Sequence, residues 1–103
     1  MTSAIYRVFR EAILRRQQVA FVYRGRDRKV CPHILGHTEG KEKVLAFQFG
    51  GESTSRPIGK GEWRCFFLAE VHNARRYDGP WHTGGSHKAR QSCVEEVDID
   101  VNR

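Results

Sequence analysis

The hydrophobic positions follow a helical repeat near the start of the chain. Apolar side chains recur at intervals of three and four residues, at Ile5, Val8, Phe9, Ala12 and Ile13. These intervals place them on one stripe of an α-helix of about four turns. Thr2 or Ser3 is suited to cap this helix. No second helical pattern follows, so the chain has no evident DNA-reading helix-turn-helix.

From Gln18 onward, apolar and polar positions alternate, as they do in strands with one buried face. Five strands are predicted, at about 18–24, 28–37, 43–49, 62–68 and 71–77. The turns between them are placed at 25–27, at 39–40, in the Gly- and Ser-rich loop 50–57, and at 69–70. Pro32 lies inside the second strand. Because proline cannot donate to a β-ladder, it predicts an edge or a bulge there.

The apolar faces of the later strands predict how the sheet is covered. Leu45, Phe47 and Phe49 share one face of the third strand, which we expect to be its buried face. The fourth strand, 62–68, is apolar on both faces, so we expect both to be covered, as in a barrel wall with a helix outside. One helix followed by five short, bent, antiparallel strands is the architecture of an Sm-like or SH3-like barrel.

The end of the sequence has a different character. Residues 1–81 form the predicted domain, onto which Trp81 is expected to dock, and residues 82–103 are predicted to be a linker and an acidic tail. In the tail, Val97, Ile99 and Val101 alternate with carboxylates. This pattern is either a frayed terminus or a strand added to a barrel edge, in the same chain or in a second copy. The last arrangement would give a homodimer.

Charge is unevenly distributed along the chain. The net charge is +6, but residues 1–77 carry 15 Lys and Arg against 7 Asp and Glu, whereas residues 78–103 carry 3 against 5. A basic body favours partners that carry phosphate, although basic charge also confers solubility. Nucleic acid or a nucleotide is therefore the expected ligand.

Several basic side chains are grouped where a phosphate could be held. One group surrounds the first hairpin turn, at Arg24, Arg26, Arg28 and Lys29, and a second lies in the loop, at Arg56 and Lys60. Guanidinium groups bind phosphate oxygens through paired hydrogen bonds. An aromatic face for a stacked base is available at Tyr23, Phe47 or Trp63. The alternative interpretation is a solvated charged turn beside ordinary core aromatics.

Other chemistries lack a sequence pattern. Cys31, His33 and His37 fall on one side of a strand, but at about 3.3 Å per residue the first and last are roughly 20 Å apart, too far for one metal ion. No zinc-binding spacing, nucleophile elbow or phosphate-loop motif is found. No metal, cofactor or catalytic residue is therefore expected. We expect a non-enzymatic protein.

The cysteines and apolar runs bear on location. Three widely spaced cysteines, with no signal-peptide pattern before the fold, predict reduced thiols and a cytoplasmic protein. The apolar runs are far shorter than the roughly 20 residues that span a bilayer. No membrane insertion is expected.

An ordered set of residues within about 5–81 resembles the WYL-domain proteins. A turn of the form G-x-x-R-x-V-x-P is found at Gly25, Arg28, Val30 and Pro32. An R-x-F-x-L segment follows at Arg64, Phe66 and Leu68. Of the tripeptide that names the family, this chain keeps only the last residue, Leu45.

The resemblance implies an Sm-like barrel that senses or binds nucleic acid or nucleotides. Members are usually attached to a winged-helix domain in bacterial transcription regulators, and sometimes to nucleases or helicases. It implies that Arg28 and Arg64 face the ligand, and that a separate DNA-binding or effector protein is a partner in transcription regulation, defence or the DNA-damage response. The alternative is an assembly protein that uses its basic face and acidic tail to oligomerise.

Overall fold

The computed structural model describes residues 3–51, 61–83 and 93–102. The chain is mainly β with one α-helix, as predicted. The helix is followed by five strands, a short 3-10 turn between the fourth and fifth, and one further strand. In chain order the elements are α1 (Ala4–Arg15), β1 (Gln18–Tyr23), β2 (Arg26–Thr38), β3 (Lys41–Gly51), β4 (Glu62–Phe67), the 3-10 turn (Leu68–Glu70), β5 (Val71–Tyr77) and β6 (Glu96–Asp100).

All strands belong to one antiparallel sheet. Its order is β4-β3-β2-β1-β5, and β6 pairs with β2. The predicted count of five strands is wrong by one, because the acidic tail contributes β6. Among the described residues no pairing joins β4 to β5, so the sheet has two ends and is not closed.

The helix forms where its apolar stripe predicts it. Ser3 is the N-cap, and its hydroxyl accepts a hydrogen bond from the Tyr6 amide at 3.1 Å. Phe9, Ala12 and Ile13 are fully buried, as expected, and Tyr6 joins them. The helix ends at Arg16, which takes a left-handed conformation and closes the last turn through its amide.

Two tight hairpins set the register of the first three strands. Arg24 and Gly25, with φ of 53° and 75°, join β1 to β2, and Glu39 and Gly40, with φ of 53° and 78°, join β2 to β3. Positive φ at both central residues is typical of the two-residue turns that match strand twist. The second turn is confirmed. The first lies one residue earlier than predicted, because Gly25 takes the second central position.

The bulge predicted at Pro32 is confirmed. The β2–β3 register shifts between Pro32 and Ile34. On its other side β2 pairs with β1 up to Val30 and with β6 from Ile34 onward. Pro32 falls between these two partners, so the missing amide donor leaves no gap in either ladder.

Leu45 and Phe47 on β3 are buried, as expected, and Phe49 is half-buried, but the main core lies on the other face of the strand. Val44 and Ala46 are fully buried in the main core, whereas Leu45 packs on the opposite face, in a second cluster with Ile34, Cys93, Val94 and the ring of Trp63. β3 is therefore covered on both faces, and the second cover is the C-terminal segment. Alternation alone could not tell which face met the larger core.

β4 is covered less completely than its composition predicted. Phe66 is buried in the main core, but Phe67 is half-buried and Cys65 is exposed. Trp81 is half-buried against the main core, as expected.

The frayed-terminus interpretation of the tail is wrong, and the added strand is in the same chain. Leu35 pairs with Ile99, and the Val101 amide donates to the His33 carbonyl at 2.7 Å. Gly36 permits this close approach, since a Cβ there would lie 1.9 Å from the Glu96 carbonyl oxygen. Val97, expected at the apolar face, is 48% exposed, because the register shifts between Leu35 and Gly36.

The expectation of reduced thiols is wrong for two of the three cysteines. Cys65 in β4 and Cys93 before β6 form a disulfide, and Cys31 is free and buried. The bond holds the C-terminal segment against the sheet. Within the described parts of the chain, no helix has both the length and the apolar character needed to cross a membrane.

Candidate anion-binding site

Arg28 is a buried cation near the start of β2. It shares its strand face with the core residue Val30, so its side chain is directed inward and is only 3% exposed, while its neighbours Asp27 and Lys29 are exposed. Because side chains alternate along a strand, the guanidinium of Arg28 lies on the same side of the sheet as the main core.

The partners of Arg28 do not neutralise it. One terminal nitrogen donates to the Gln48 side-chain oxygen at 3.3 Å, and the guanidinium lies 5.6 Å and 5.9 Å from the ring centres of Tyr23 and Phe66. Its Nε is buried without an acceptor, and among the described residues no carboxylate is within ion-pair distance of it. Burial lowers the pKa of Arg28, and the positive charge of Arg64 lowers it further.

Arg64 reaches the same place from β4. It stands opposite Ala46, on the core-facing side of the sheet, and forms an ion pair with Glu62 at 2.7 Å. The two arginines line one cavity of about 150 Å³, the arginine cavity, whose wall consists of Tyr23, Arg24, Arg28, Arg64, Cys65, Phe66 and Phe67. This volume is about five times that of a water molecule in the liquid, which suits one phosphate-sized anion.

Arg24 lines the arginine cavity, and the charge of Arg26 acts on it from nearby. Arg24 is exposed and held by Glu70, with its Nε 3.0 Å from one carboxylate oxygen and a terminal nitrogen 3.3 Å from the other. This hydrogen bond raises the pKa of Arg24 and lowers that of Glu70. Arg26 is exposed beside the turn, and its charge contributes to lowering the pKa of Arg28.

The structure thus brings three of the six predicted site residues together. Arg24, Arg28 and Arg64 line the arginine cavity. Arg26 does not line it, but its positive charge contributes to lowering the pKa of Arg28. Arg56, like Lys60, lies outside the described residues.

The predicted stacking residues are placed differently. Trp63 points to the opposite side of β4 from Arg64 and packs against Phe47 at 5.3 Å and His33 at 4.7 Å between ring centres, so it does not line the arginine cavity. Phe47 is buried in the same contact. Tyr23 lines the cavity but is only 5% exposed, and its hydroxyl accepts a hydrogen bond from the Phe67 amide at 3.2 Å. It braces the wall.

Two further residues belong to the site and were not predicted. Gln48 is fully buried and supplies the acceptor for Arg28, and Glu70 holds Arg24. A polar residue on the apolar face of β3, in line with Val44 and Ala46, was the available signal for Gln48. Nothing local marked Glu70, because its partner, Arg24, lies 46 residues away in the turn between β1 and β2.

His33 is engaged away from the arginine cavity. His33 is buried, with Nδ1 2.7 Å from the Cys31 carbonyl oxygen and Nε2 3.2 Å from the Thr83 hydroxyl. In the part of the chain that the structure describes, no three His, Cys, Asp or Glu side chains are grouped so that they could hold a metal ion.

Comparison with known proteins adds no identity. The chain matches no protein-family model, no curated protein and no solved structure.

Proposed function

We propose that this chain is a non-enzymatic, ligand-binding regulatory module for a nucleic acid or nucleotide, and that the arginine cavity holds a phosphate group. The observation that carries the proposal is Arg28, a guanidinium that is 3% exposed and has no carboxylate partner among the described residues. A buried charge without a counter-ion is costly, so folds retain one mainly where it acts.

A phosphate fits what the arginine cavity lacks. Its oxygens would accept from the unpartnered Nε of Arg28, and its negative charge would relieve the repulsion between Arg28 and Arg64. Arginine forks bind phosphate oxygens in pairs, with more geometric definition than a lysine ammonium gives. A chain of net charge +6 would also attract a polyanion from a distance.

The resemblance to WYL-domain proteins supports the same site. The two arginines that it matches, Arg28 and Arg64, share the cavity. We propose further that the open sheet is an Sm-like or SH3-like barrel, an idea supported by the order β4-β3-β2-β1-β5 and by the 3-10 turn between β4 and β5. A cytoplasmic role in transcription regulation or defence, with a separate DNA-binding or effector protein as partner, completes this proposal.

The test compares Arg64→Ala with Arg7→Ala, which removes an exposed arginine on the helix. Titration at low salt with a short single-stranded oligonucleotide and with a nucleoside triphosphate should show binding about tenfold or more weaker for Arg64→Ala, as expected for a lost charge-assisted hydrogen bond. Arg7→Ala should bind like the parent. Equal affinity of both variants, with circular dichroism unchanged, would remove the arginine cavity as the site.

One observation favours assembly as a second candidate function. Val97 is 48% exposed on β6, among the carboxylates of an acidic strand. A second copy could cover it and meet these carboxylates with its basic body. In nucleic-acid-free protein, sedimentation should then show a dimer that Val97→Lys dissociates. A monomer would leave only the ligand-binding role.

A further inference from the structure

A larger cavity opens beside the arginine cavity. It measures about 640 Å³ and lies between the start of α1, the β2–β3 turn and the 3-10 turn after β4. We call it the groove. Its apolar wall consists of Ile5, Phe67, Leu68, Ala69 and Val71. The volume is within the range of about 300–1,000 Å³ that is usual for small-molecule pockets.

The groove and the arginine cavity adjoin each other at two places. Phe67 lines both. The ion pair of Arg24 with Glu70 spans the boundary, since Arg24 lines the arginine cavity and Glu70 lines the groove. The two cavities are therefore neighbours, as two subsites for one ligand must be.

The groove offers what a nucleobase needs. Phe67 is a half-buried ring with the ammonium groups of Lys43 and Lys41 4.7 Å and 6.0 Å from its centre. Any of the four bases can stack on such a ring. The carboxylates of Glu42 and Glu70 line the same groove, and each retains acceptor positions for the amino or ring N–H groups of a base.

We propose that the groove is a nucleobase subsite and that the ligand is a free nucleotide, with one phosphate in the arginine cavity and its base against Phe67. This rests on the proposed function, because the arginine cavity must hold the phosphate. It goes beyond it by assigning the base to a separate cavity and by choosing a nucleotide over a nucleic-acid strand.

The experiment uses the full chain and three kinds of probe: inorganic pyrophosphate, the four nucleoside 5′-diphosphates, and a short oligonucleotide. At least one nucleoside diphosphate should bind about tenfold more tightly than pyrophosphate, as expected for one stacked base. Adding it should shift the methyl NMR signals of Ile5 and Val71, which pyrophosphate should leave in place.

Two bulky substitutions make the test specific. Ala69 is exposed in the 3-10 turn and lines the groove, so Ala69→Trp would fill the groove without entering the core. This variant should lose the tenfold advantage of the nucleotide and keep its affinity for pyrophosphate. Leu14→Trp, a matched change at an exposed position on the helix outside the groove, should bind both probes like the parent.

The outcomes separate the two proposals. If no nucleoside diphosphate binds more tightly than pyrophosphate, if Ala69→Trp binds the nucleotide as well as the parent does, or if only the oligonucleotide binds tightly, the groove is not a subsite for a free nucleotide. Each of these results is compatible with pyrophosphate binding that depends on Arg64, and so with the proposed function. If neither pyrophosphate nor any nucleotide nor the oligonucleotide binds, the proposed function itself is wrong.

Discussion

Arg28 on β2 and Arg64 on β4 line the same cavity, although β3 lies between their strands in the sheet. Because the two positive charges face one small space, the charge of Arg64 lowers the pKa of Arg28, in addition to the effect of burial. Such an arrangement stabilises nothing by itself. It becomes favourable when an anion lies between the two guanidinium groups.

The first prediction is that Arg28→Met removes anion binding without lowering stability by more than about 1 kcal/mol. Methionine fills much of the same space and needs no counter-charge, and hydrophobic replacements of buried charges are often neutral or stabilising. The losses are one hydrogen bond to Gln48 and two ring contacts. Urea unfolding and titration with pyrophosphate measure the two effects.

Phe9→Met is the control, because it changes a fully buried apolar residue on α1. It should lower the stability by more than Arg28→Met does, and it should leave the affinity unchanged. A loss of several kcal/mol with Arg28→Met, together with unaltered affinity, would make Arg28 a structural residue.

The second prediction concerns Glu70, which holds Arg24 away from any ligand. Glu70→Gln removes the negative charge and weakens the hold on Arg24, so the affinity for pyrophosphate should rise about twofold to fivefold, the range expected for one exposed ion pair. Stability should change little, since both side chains are exposed. Glu95→Gln makes the same change of charge at an exposed position near Thr38 and should have a much smaller effect. Equal gains for both variants would show that only net charge matters.

The elements that local rules govern could be predicted from the sequence. The apolar stripe predicted α1, and Gly40, which takes a φ of 78°, marked the turn between β2 and β3. Pro32 marked the bulge. The arginines of the candidate site could also be chosen, since basic side chains at a hairpin turn stand out and strand alternation decides which of them points inward.

Contacts between distant segments could not be predicted. β6 pairs with β2, and Cys93 bonds to Cys65, between segments that are far apart in the sequence. The larger core lies on the face of Val44 and Ala46, whereas the bulkier apolar side chains of β3, at Leu45, Phe47 and Phe49, favoured the opposite face. The groove is made by the helix, a hairpin turn and the 3-10 turn together, so no single stretch of sequence carried its signal.

The third prediction concerns Tyr6, whose hydroxyl donates to the carboxylate of Asp98 and so ties α1 to β6. Tyr6→Phe should lower the free energy of unfolding by about 2 kcal/mol, the value typical of a hydrogen bond to a charged group. Tyr77→Phe is the control, because no hydrogen bond of its hydroxyl is found among the described residues, and its effect should be smaller.

The Tyr6 contact also makes stability depend on pH. Burial, and then the hydrogen bond with Asp98, raises the pKa of Tyr6 above its ordinary value of about 10. Since the folded pKa is the higher one, the contribution is fully present below about pH 10 and is lost as the pH rises through the folded value. The advantage of the parent over Tyr6→Phe should therefore shrink in strongly alkaline urea titrations. A constant difference would mean that the hydroxyl does not bond to Asp98.

The last prediction concerns the disulfide between Cys65 and Cys93, which lie 28 residues apart. Closing a loop of this size should stabilise the fold by about 3.5 kcal/mol. A reductant should therefore lower the urea midpoint of the parent. Cys65→Ser should have the midpoint of the reduced parent, and a reductant should not change it. Cys31 serves as the internal control, because it is fully buried and burial raises the pKa of its thiol. In the oxidised parent, iodoacetamide should therefore label no thiol in the native state and one after unfolding. Rapid labelling of two thiols in the native protein, with no response to reductant, would show that Cys65 and Cys93 are not joined and that the tail is held to the sheet by β6 alone.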